Sequence, residues 1–293
     1  MKISTLHCHA LSVCVVAAML AGCGGSQTPV GAPGAIPESH TAARAHVIVH
    51  RARAVSSPYQ VLYSFAGPDG AGPYASLIDV KGKLYGTTFL GGKFNERGGT
   101  VFSVSTTGTE HILHSCGRPP NGRHPFAGLI DVSGTLYGTT SYGGAYRDGT
   151  VFSISTTGKV HVLHAFSGGD GASPDANLID VKGTLYGTTE LGGTFHNAGT
   201  VFSFTSAGSY RVLHSFGGNY DGANPFASLI DVEGTLYGTT RSGGTYGAGT
   251  VFGISKAGRE HVLHSFGGGS SDGSGPFAGL INVKGTLYGT TQS

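Results

Sequence analysis

The stretch "GTLYGTT" at Gly134–Thr140 decides the fold, because the chain repeats it at Gly183–Thr189, Gly234–Thr240 and Gly285–Thr291, with a near copy, "GKLYGTT", at Gly82–Thr88. The leucine of the motif stands at positions 84, 136, 185, 236 and 287, so successive copies lie 52, 49, 51 and 51 residues apart. A fixed period near 50 residues indicates a repeat architecture, in which neighbouring units complete each other's core.

Each unit contains four strand-like pieces in a constant order, for which Leu178–Val181 ("LIDV"), Leu185–Thr189 ("LYGTT"), Gly199–Phe202 ("GTVF") and Val212–Phe216 ("VLHSF") serve as examples. We name these pieces a, b, c and d. They are rich in β-branched and aromatic residues and are bounded by Gly, Pro or Asp, as strands are. Tight turns join a to b and c to d, which indicates two hairpins. The pattern therefore predicts an all-β, β-propeller-like fold of about five four-stranded blades, each of roughly 50 residues.

Closure of the ring stays open at the level of the sequence. There are five copies of pieces a, b and d, but four of piece c. Either the chain is truncated at Ser293, or the blades run c-d-a-b and the segment His46–Arg51 ("HVIVHR") supplies the first c strand. We favour the second alternative, because this segment alternates like a strand.

The N-terminus carries the features of an export signal rather than of a folded element. The apolar run Leu11–Leu20 is too short to span a bilayer and leads into Leu20-Ala21-Gly22-Cys23, which resembles the lipobox of bacterial lipoproteins. We expect residues 1–22 to be a lipoprotein signal peptide and Cys23 to be acylated, for instance with palmitate. This anchor would fix the protein to the outer membrane or cell surface; an ordinary secretory signal is the alternative.

The mature chain would then divide into a tether and one repeat domain. Residues 23–44 are rich in Gly, Pro, Ser, Thr and Ala, which predicts a flexible tether, and residues 45–293 form the repeat domain. Cys116 would be the one thiol left, so no intramolecular disulfide is expected. A net charge of +2 with 12% charged residues gives no reason to expect nucleic acid as a partner.

The repeated motifs resemble those of the choice-of-anchor tandem repeat family, the GloVer repeats of bacterial exported proteins. The resemblance rests on "LYGTT" in five copies and "GTVF" at a constant offset in four, and it covers roughly Val61 to the C-terminus. It implies export with a surface anchor and a propeller-like repeat. It implies no established activity and no catalytic residues.

The long b–c and d–a links fall on one face of the predicted propeller, and loops on a rigid scaffold are where binding concentrates. Each b–c loop carries an aromatic at the same place, and these are the candidate ligand-binding residues: Phe94, Tyr146, Phe195 and Tyr246. The alternative is that each ring packs under its own loop. The Asp-Gly pairs of the d–a links and the Asp of "LIDV" are interpreted as turn residues. The strand d histidines and Cys116 are interpreted as packing residues. We expect no metal and no cofactor.

These observations favour a surface-anchored lipoprotein that binds an envelope glycan or protein without catalysis. An enzyme acting on polysaccharide needs unlike acids in one place, and the acids that break the repeat are Glu96, Asp148, Asp175 and Glu190. Their spacing singles out no pair. A purely structural surface protein is the third alternative, and the ligand and oligomeric state are left open.

Overall fold

The computed structural model describes residues 46–49, 60–94, 97–205, 208–217 and 220–293. The expected signal peptide, the acylated Cys23 and the tether up to residue 44 lie outside the described residues. All regular structure within these ranges is β-strand. In the part of the chain that is described, no helix is long and apolar enough to cross a membrane.

The strands follow the repeat closely. Their bounds are β1 His46–Val49, β2 Gln60–Ser64, β3 Ile78–Val80, β4 Lys83–Thr88, β5 Thr100–Ser105, β6 Glu110–Ser115, β7 Gly122–Arg123, β8 Ile130–Val132, β9 Thr135–Thr140, β10 Tyr142–Gly143, β11 Thr150–Ser155, β12 Val160–Ala165, β13 Ile179–Val181, β14 Thr184–Thr189, β15 Thr200–Thr205, β16 Tyr210–Ser215, β17 Ile230–Val232, β18 Thr235–Thr240, β19 Thr250–Ser255, β20 Glu260–Ser265, β21 Ile281–Val283 and β22 Thr286–Tyr288.

Four complete antiparallel sheets are formed, in the orders β3-β4-β5-β6, β8-β9-β11-β12, β13-β14-β15-β16 and β17-β18-β19-β20. We call them sheets 1 to 4. Two half-sheets, β1-β2 and β21-β22, flank them, and β7 pairs with β10 in a small ribbon between loops. The architecture is therefore all-β and propeller-like, as the repeat predicts.

The grouping of strands differs from the favoured c-d-a-b order. Every complete sheet runs a-b-c-d along the chain, because piece d ends in a long link that leads away to the next sheet. The segment at His46–Val49 does form the expected strand and pairs antiparallel with Gln60–Ser64, as c pairs with d elsewhere. Among the described strands no ladder joins β22 to β1, so the half-sheets stay separate and ring closure is not observed.

The core lies between sheets rather than within them. One buried cluster joins Tyr186 and Val201 of sheet 3 to Leu229, Phe252 and Ile254 of sheet 4 and the link that enters it. Equivalent clusters join sheets 1 and 2 and sheets 2 and 3. A single sheet thus cannot bury its own apolar faces, which is the physical reason for the repeat.

The contacts of the "LYGTT" strand explain its composition. Its glycine faces a phenylalanine of the neighbouring c strand: a Cβ built on Gly187 would lie 2.6 Å from Phe202 Cζ. Its first threonine bonds to the next unit, as Thr87 Oγ1 donates to the carbonyl of Ala127 at 2.8 Å. Its second threonine pairs with the threonine of "GTVF", as Thr189 Oγ1 does with Thr200 Oγ1 at 2.8 Å. The close approach of this ring is the reason why the position is a glycine.

Tight turns close both hairpins of each sheet. In the a–b turn both central residues take positive φ, for example Lys182 at 55° and Gly183 at 81°, which is the type I′ geometry of hairpins. The preceding aspartate fixes the turn, since Gly183 N donates to Asp180 Oδ1 at 2.9 Å. The interpretation of the "LIDV" aspartate as a turn residue is confirmed. The long b–c and d–a links are left at the opposite ends of the strands.

Candidate functional site

The long-loop face has a centre at which the first strands of successive units meet. Strand β8 is the neighbour of both β3 and β13, and β17 is the neighbour of β21. The residues that enter these strands are bonded from unit to unit: Gly128 N donates to Asn177 Oδ1 at 2.6 Å, and Asn177 N donates to Ser228 Oγ at 3.1 Å. Positions just before the a strands therefore converge on one axis.

Two positions per unit present side chains at this centre. The hub positions follow the proline before each a strand, and they are Tyr74, Phe126, Asp175, Phe226 and Phe277. The flank positions follow the Thr-Thr of each b strand, and they are Phe89, Ser141, Glu190, Arg241 and Gln292. Each flank residue donates its backbone N–H to the residue before the proline, for example Glu190 N to Ser173 O at 2.9 Å. The backbone is repeated, whereas the side chains are not.

Four aromatic rings form an arc over the hub, in which each ring contacts the next. Tyr74 stacks on Phe126 with ring centroids 5.3 Å apart. Phe126 contacts Phe226 edge to face at 5.6 Å, and Phe226 contacts Phe277 at 5.8 Å. Tyr74 is 66% exposed and Phe277 38% exposed. The contact between Phe126 and Phe226 joins units that are not neighbours in the chain, so it places these rings at the common axis.

A polar cluster occupies the gap that Asp175 makes in this arc. Ser141 Oγ donates to Asp175 Oδ1, and Glu190 lies near enough to the same carboxyl group to affect its pKa. Burial, with the nearby Glu190, raises the pKa of Asp175 to about 7, although the bond from Ser141 opposes the shift. Arg241 Nη1 lies 3.3 Å from Glu190 Oε1, and its guanidinium carbon lies 5.1 Å from the centroid of Phe277.

The partners of the two acids indicate what chemistry this cluster can support. Glu190 contributes to the raised pKa of Asp175, so the two carboxyl groups are near neighbours. Glu190 is also held in an ion pair by Arg241, and Asp175 accepts the hydroxyl of Ser141. Such a cluster supplies acceptors and donors to ligand hydroxyl groups.

The four predicted loop aromatics lie away from the hub. Tyr146, Phe195 and Tyr246 are 63%, 55% and 60% exposed, whereas Phe94 is partly buried beneath Arg118, whose guanidinium carbon lies 4.7 Å from the ring centroid. Three of the rings sit beside the link that leaves their own sheet: Phe94 borders Gly117, Phe195 borders Gly217, and Tyr246 borders Gly267 and Gly268. Within the described ranges these four rings make no contact with one another. We call these four rings the rim. In the described part of the chain none of them makes a ring contact with a hub residue.

Three histidines of the d strands pair with the aspartate of the following d–a link. His164 Nε2 lies 2.9 Å from Asp170 Oδ2, and the same pairing recurs between strand d and the d–a link of other units. Asp170 also accepts the backbone N–H of Ser167 at 2.8 Å, so the turn interpretation of the Asp-Gly pairs is confirmed. Asp148 lies beside Gly168, its carbonyl accepts the N–H of Ser173 at 3.0 Å, and Glu96 is outside the described residues. No described cluster of His, Cys, Asp or Glu has the arrangement of a metal site.

Cys116 is a core residue, as expected, because it stands at the end of piece d, where the other units have a phenylalanine. It is 3% exposed, and burial raises the pKa of its thiol to about 12. A thiol held protonated in this way is a poor nucleophile.

The hub was missed at the sequence level, although a signal for it exists. Four of the five units read Pro-aromatic-Ala before the a strand, and the third reads Pro174-Asp175-Ala176. This pattern of four aromatics and one acid is the signal in the sequence, and the ring contacts across the hub show that these positions share one surface.

Comparison with known proteins gives the family but little on activity. No curated protein matches the sequence. Similar solved structures include the GH43B protein of a Bacteroides ovatus xyloglucan PUL (18% identity, 68% of this chain, 42% of that chain, TM-score 0.41). They also include a Mycobacterium tuberculosis puromycin-hydrolyzing peptidase (12%, 75%, 35%, 0.45) and a putative 6-phosphogluconolactonase from Bacteroides uniformis (13%, 72%, 68%, 0.46). The chain thus spans about two fifths and one third of the length of the first two.

The family model described as the Gloeobacter/Verrucomicrobia repeat matches residues 43–198 and 180–293. The two matches together span the whole array of sheets, and they confirm the resemblance carried by "LYGTT" and "GTVF". This chain belongs to the Gloeobacter/Verrucomicrobia repeat family.

Proposed function

We propose that this protein is an exported lipoprotein, anchored through Cys23 at the outer membrane or cell surface, whose propeller domain binds an envelope glycan without cleaving it. The anchor rests on the lipobox-like Leu20–Cys23 and the tether that follows it. The alternatives are that this surface binds an envelope protein instead of a glycan, or that the protein has a purely structural role.

The observation that carries the proposal is the exposed aromatic arc beside a hydrogen-bonding cluster. Sugar rings present flat apolar faces that stack on aromatic side chains, which have large rigid areas and little entropy to lose. Their hydroxyl groups need donors and acceptors at the edge of the ring. Tyr74, Phe126 and Phe277 supply the first, and Asp175, Glu190 and Arg241 the second. The exposed rim rings at Tyr146, Phe195 and Tyr246 extend the surface outward.

An enzyme acting on polysaccharide is the second candidate, because a carboxyl group with a pKa of about 7 suits a general acid. The ion pair between Glu190 and Arg241 argues against it, because the second acid is already occupied by a cation. We expect the protein to release no reducing ends from any polysaccharide that it binds. Release that stops in Asp175→Asn would favour the enzyme instead.

The binding proposal is tested with the full-length protein, purified in detergent, on an array of neutral and envelope glycans. We expect saturable binding that weakens at least tenfold, or about 1.4 kcal/mol, in the double variant Tyr74→Ala, Phe277→Ala. The melting temperature should fall only slightly, since Tyr74 is 66% exposed and Phe277 38% exposed. A triple variant in which Tyr146, Phe195 and Tyr246 are replaced by alanine measures how much the rim contributes to the affinity.

The matched control is His161→Ala, which removes an exposed ring from strand β12, away from the long-loop face. Its binding should equal that of the unaltered protein. Binding that persists in both the hub and the rim variants would place the ligand elsewhere. If no glycan binds at all, the glycan proposal fails, and a protein partner or a structural role takes its place.

A further inference from the structure

Three consecutive long loops on one side of the face pack into a single surface. They are the described parts of the first b–c loop, 89–94 and 97–99, the link at 116–124 and the b–c loop at 141–149. His124 N donates to Gly98 O at 2.7 Å, which joins the first loop to the link. Strands β7 and β10 pair Arg123 with Tyr142, which joins the link to the second b–c loop.

This surface collects exposed cations, which we call the basic arc: Lys93, Arg97, Arg118, Arg123 and Arg147. Two of them lie over aromatic rings, since the Arg118 guanidinium carbon is 4.7 Å from the centroid of Phe94 and that of Arg123 is 5.9 Å from the centroid of Tyr142. Stacking of this kind orders a guanidinium group and leaves its N–H groups free to meet a planar anion. The ion pairs found in the described part of the chain involve none of these five.

The equivalent loops of the later units have the opposite character. The loops and links from residue 166 to 175, 190 to 199, 216 to 225, 241 to 249 and 266 to 275 contain one arginine and no lysine, but several acids. That arginine, Arg241, is paired with Glu190. Within the basic-arc loops the acids are Asp148, which lies beside Gly168, and Glu96, outside the described residues. The net charge of +2 therefore conceals a strong local asymmetry.

The basic arc is continuous with the aromatic arc of the hub. Phe89 lies with its ring centroid 4.6 Å from that of His124, and it contacts Tyr74 at 5.7 Å. A chain of sugars that stacks at the hub can therefore continue over Phe89 onto the arginines. A lipid surface would bind the cations, but its binding would not require this row of aromatic rings.

We propose that the ligand is an acidic polysaccharide, whose carboxylate groups are bound by the basic arc while its neutral ring faces stack at the hub. The proposal rests on the glycan-binding function given above and names the class of glycan. Guanidinium groups bind carboxylates through two parallel hydrogen bonds, so arginine is suited to uronate residues.

The test uses two pairs of polymers in which esterification removes the carboxylate charge and keeps the sugar backbone: polygalacturonate and its methyl ester, and alginate and its propyl ester. Full-length protein in detergent is titrated with each polymer at low salt and again in high salt, where the screening length falls to a few ångströms, roughly 3–5 Å. We expect the acid form of at least one pair to bind at least tenfold more tightly than its ester. Salt should reduce this difference, because exposed ion pairs are screened.

The variant with Arg118→Gln, Arg123→Gln and Arg147→Gln should lose at least tenfold in affinity for the acid form and little for the ester. Its matched control removes the same charge from the tight-turn face through Lys159→Gln, Lys182→Gln and Lys284→Gln, all exposed residues. The control should bind as the unaltered protein does. Equal loss in both variants would mean that net charge alone, not the basic arc, attracts the polymer.

The outcomes separate this inference from the function on which it rests. If neutral glycans bind through Tyr74 and Phe277 while acids and esters bind equally or not at all, the inference falls and the glycan function stands. If no glycan of any charge binds, both fall. If vesicles containing phosphatidylglycerol, or single-stranded DNA, compete through the same arginines as strongly as the polysaccharide, the basic arc is a general anion surface and the inference is overturned.

Discussion

The glycine of "LYGTT" is the position at which the structure predicts the sharpest response to a minimal change. A Cβ built on Gly187 would lie 2.6 Å from Phe202 Cζ and 2.9 Å from Leu178 Cδ2. Real Cβ atoms do not approach other atoms so closely, and Phe202 is fully buried, so its ring has no free space to enter. The backbone at Gly187 is ordinary extended strand, which means that the constraint is steric and not conformational.

The substitution Gly187→Ala is therefore expected to destabilise the protein. Overpacking a core lowers the free energy of unfolding by about 1–3 kcal/mol. Replacing glycine also reduces the conformational freedom of the unfolded chain, which raises the free energy of unfolding by about 0.4–1 kcal/mol. The net loss is about 1–2 kcal/mol. For a domain of this size it lowers the melting temperature by roughly 2–8 °C. Thermal unfolding followed by circular dichroism measures the shift.

Two further variants isolate the cause. Gly169 is exposed, has no atom within 4 Å of a built Cβ and does not take positive φ, so Gly169→Ala should leave the melting temperature unchanged or slightly raised. Phe202→Leu shortens the opposing side chain, so Gly187→Ala should cost less in that background. An unaltered melting temperature in Gly187→Ala, or the same cost in the Phe202→Leu background, would refute the steric reasoning.

Three other substitutions test the packing and the buried charges. Thr87→Val removes the bond to the Ala127 carbonyl and should cost about 1–2 kcal/mol by urea unfolding, whereas Thr106→Val at an exposed turn should cost less than about 0.5 kcal/mol. Phe216→Ala, which removes an edge contact with Phe252 at 5.1 Å, should cost about 3–5 kcal/mol. Burial, with nearby Asp221, raises the pKa of Glu260 from 4.5 to about 7, so its contribution to stability is present below pH 4.5 and is lost as the pH rises to 7. Glu260→Gln should accordingly be more stable than the unaltered protein at pH 8 and equal to it at pH 4.5; a gain at the lower pH alone would contradict the assignment.

Local sequence signals predicted the strands and turns well, because each depends on residues close together in the chain. The Lys182-Gly183 turn, its Asp180 cap and the glycine of "LYGTT" follow from turn chemistry and from strand packing. The order of strands within a sheet was less accessible, since a-b-c-d and c-d-a-b contain the same hairpins. Which hairpins share a sheet depends on the b–c ladder, and no local motif encodes that pairing.

The candidate site was harder to predict for the same reason. Repetition of Phe94, Tyr146, Phe195 and Tyr246 drew attention to residues that are equivalent in sequence, but equivalent positions at the outer end of each sheet are held apart by the radial arrangement of the sheets. The hub depends on contacts such as Phe126 with Phe226, which join residues far apart in the chain. Asp175 and Glu190 are two of the four acids that break the repeat, but their spacing in the sequence does not reveal that they lie close together.

The backbone bonds at the hub have a consequence for how such proteins diversify. The link between each flank residue and the residue before the proline, such as Arg241 N to Asn224 O at 3.0 Å, uses no side-chain atom. A point mutation at a flank or hub position can therefore change the surface from aromatic to acidic or basic while the ladder beneath it is kept. Gene duplication would copy the scaffold, and substitution at a few such positions would then give each descendant a different recognition surface.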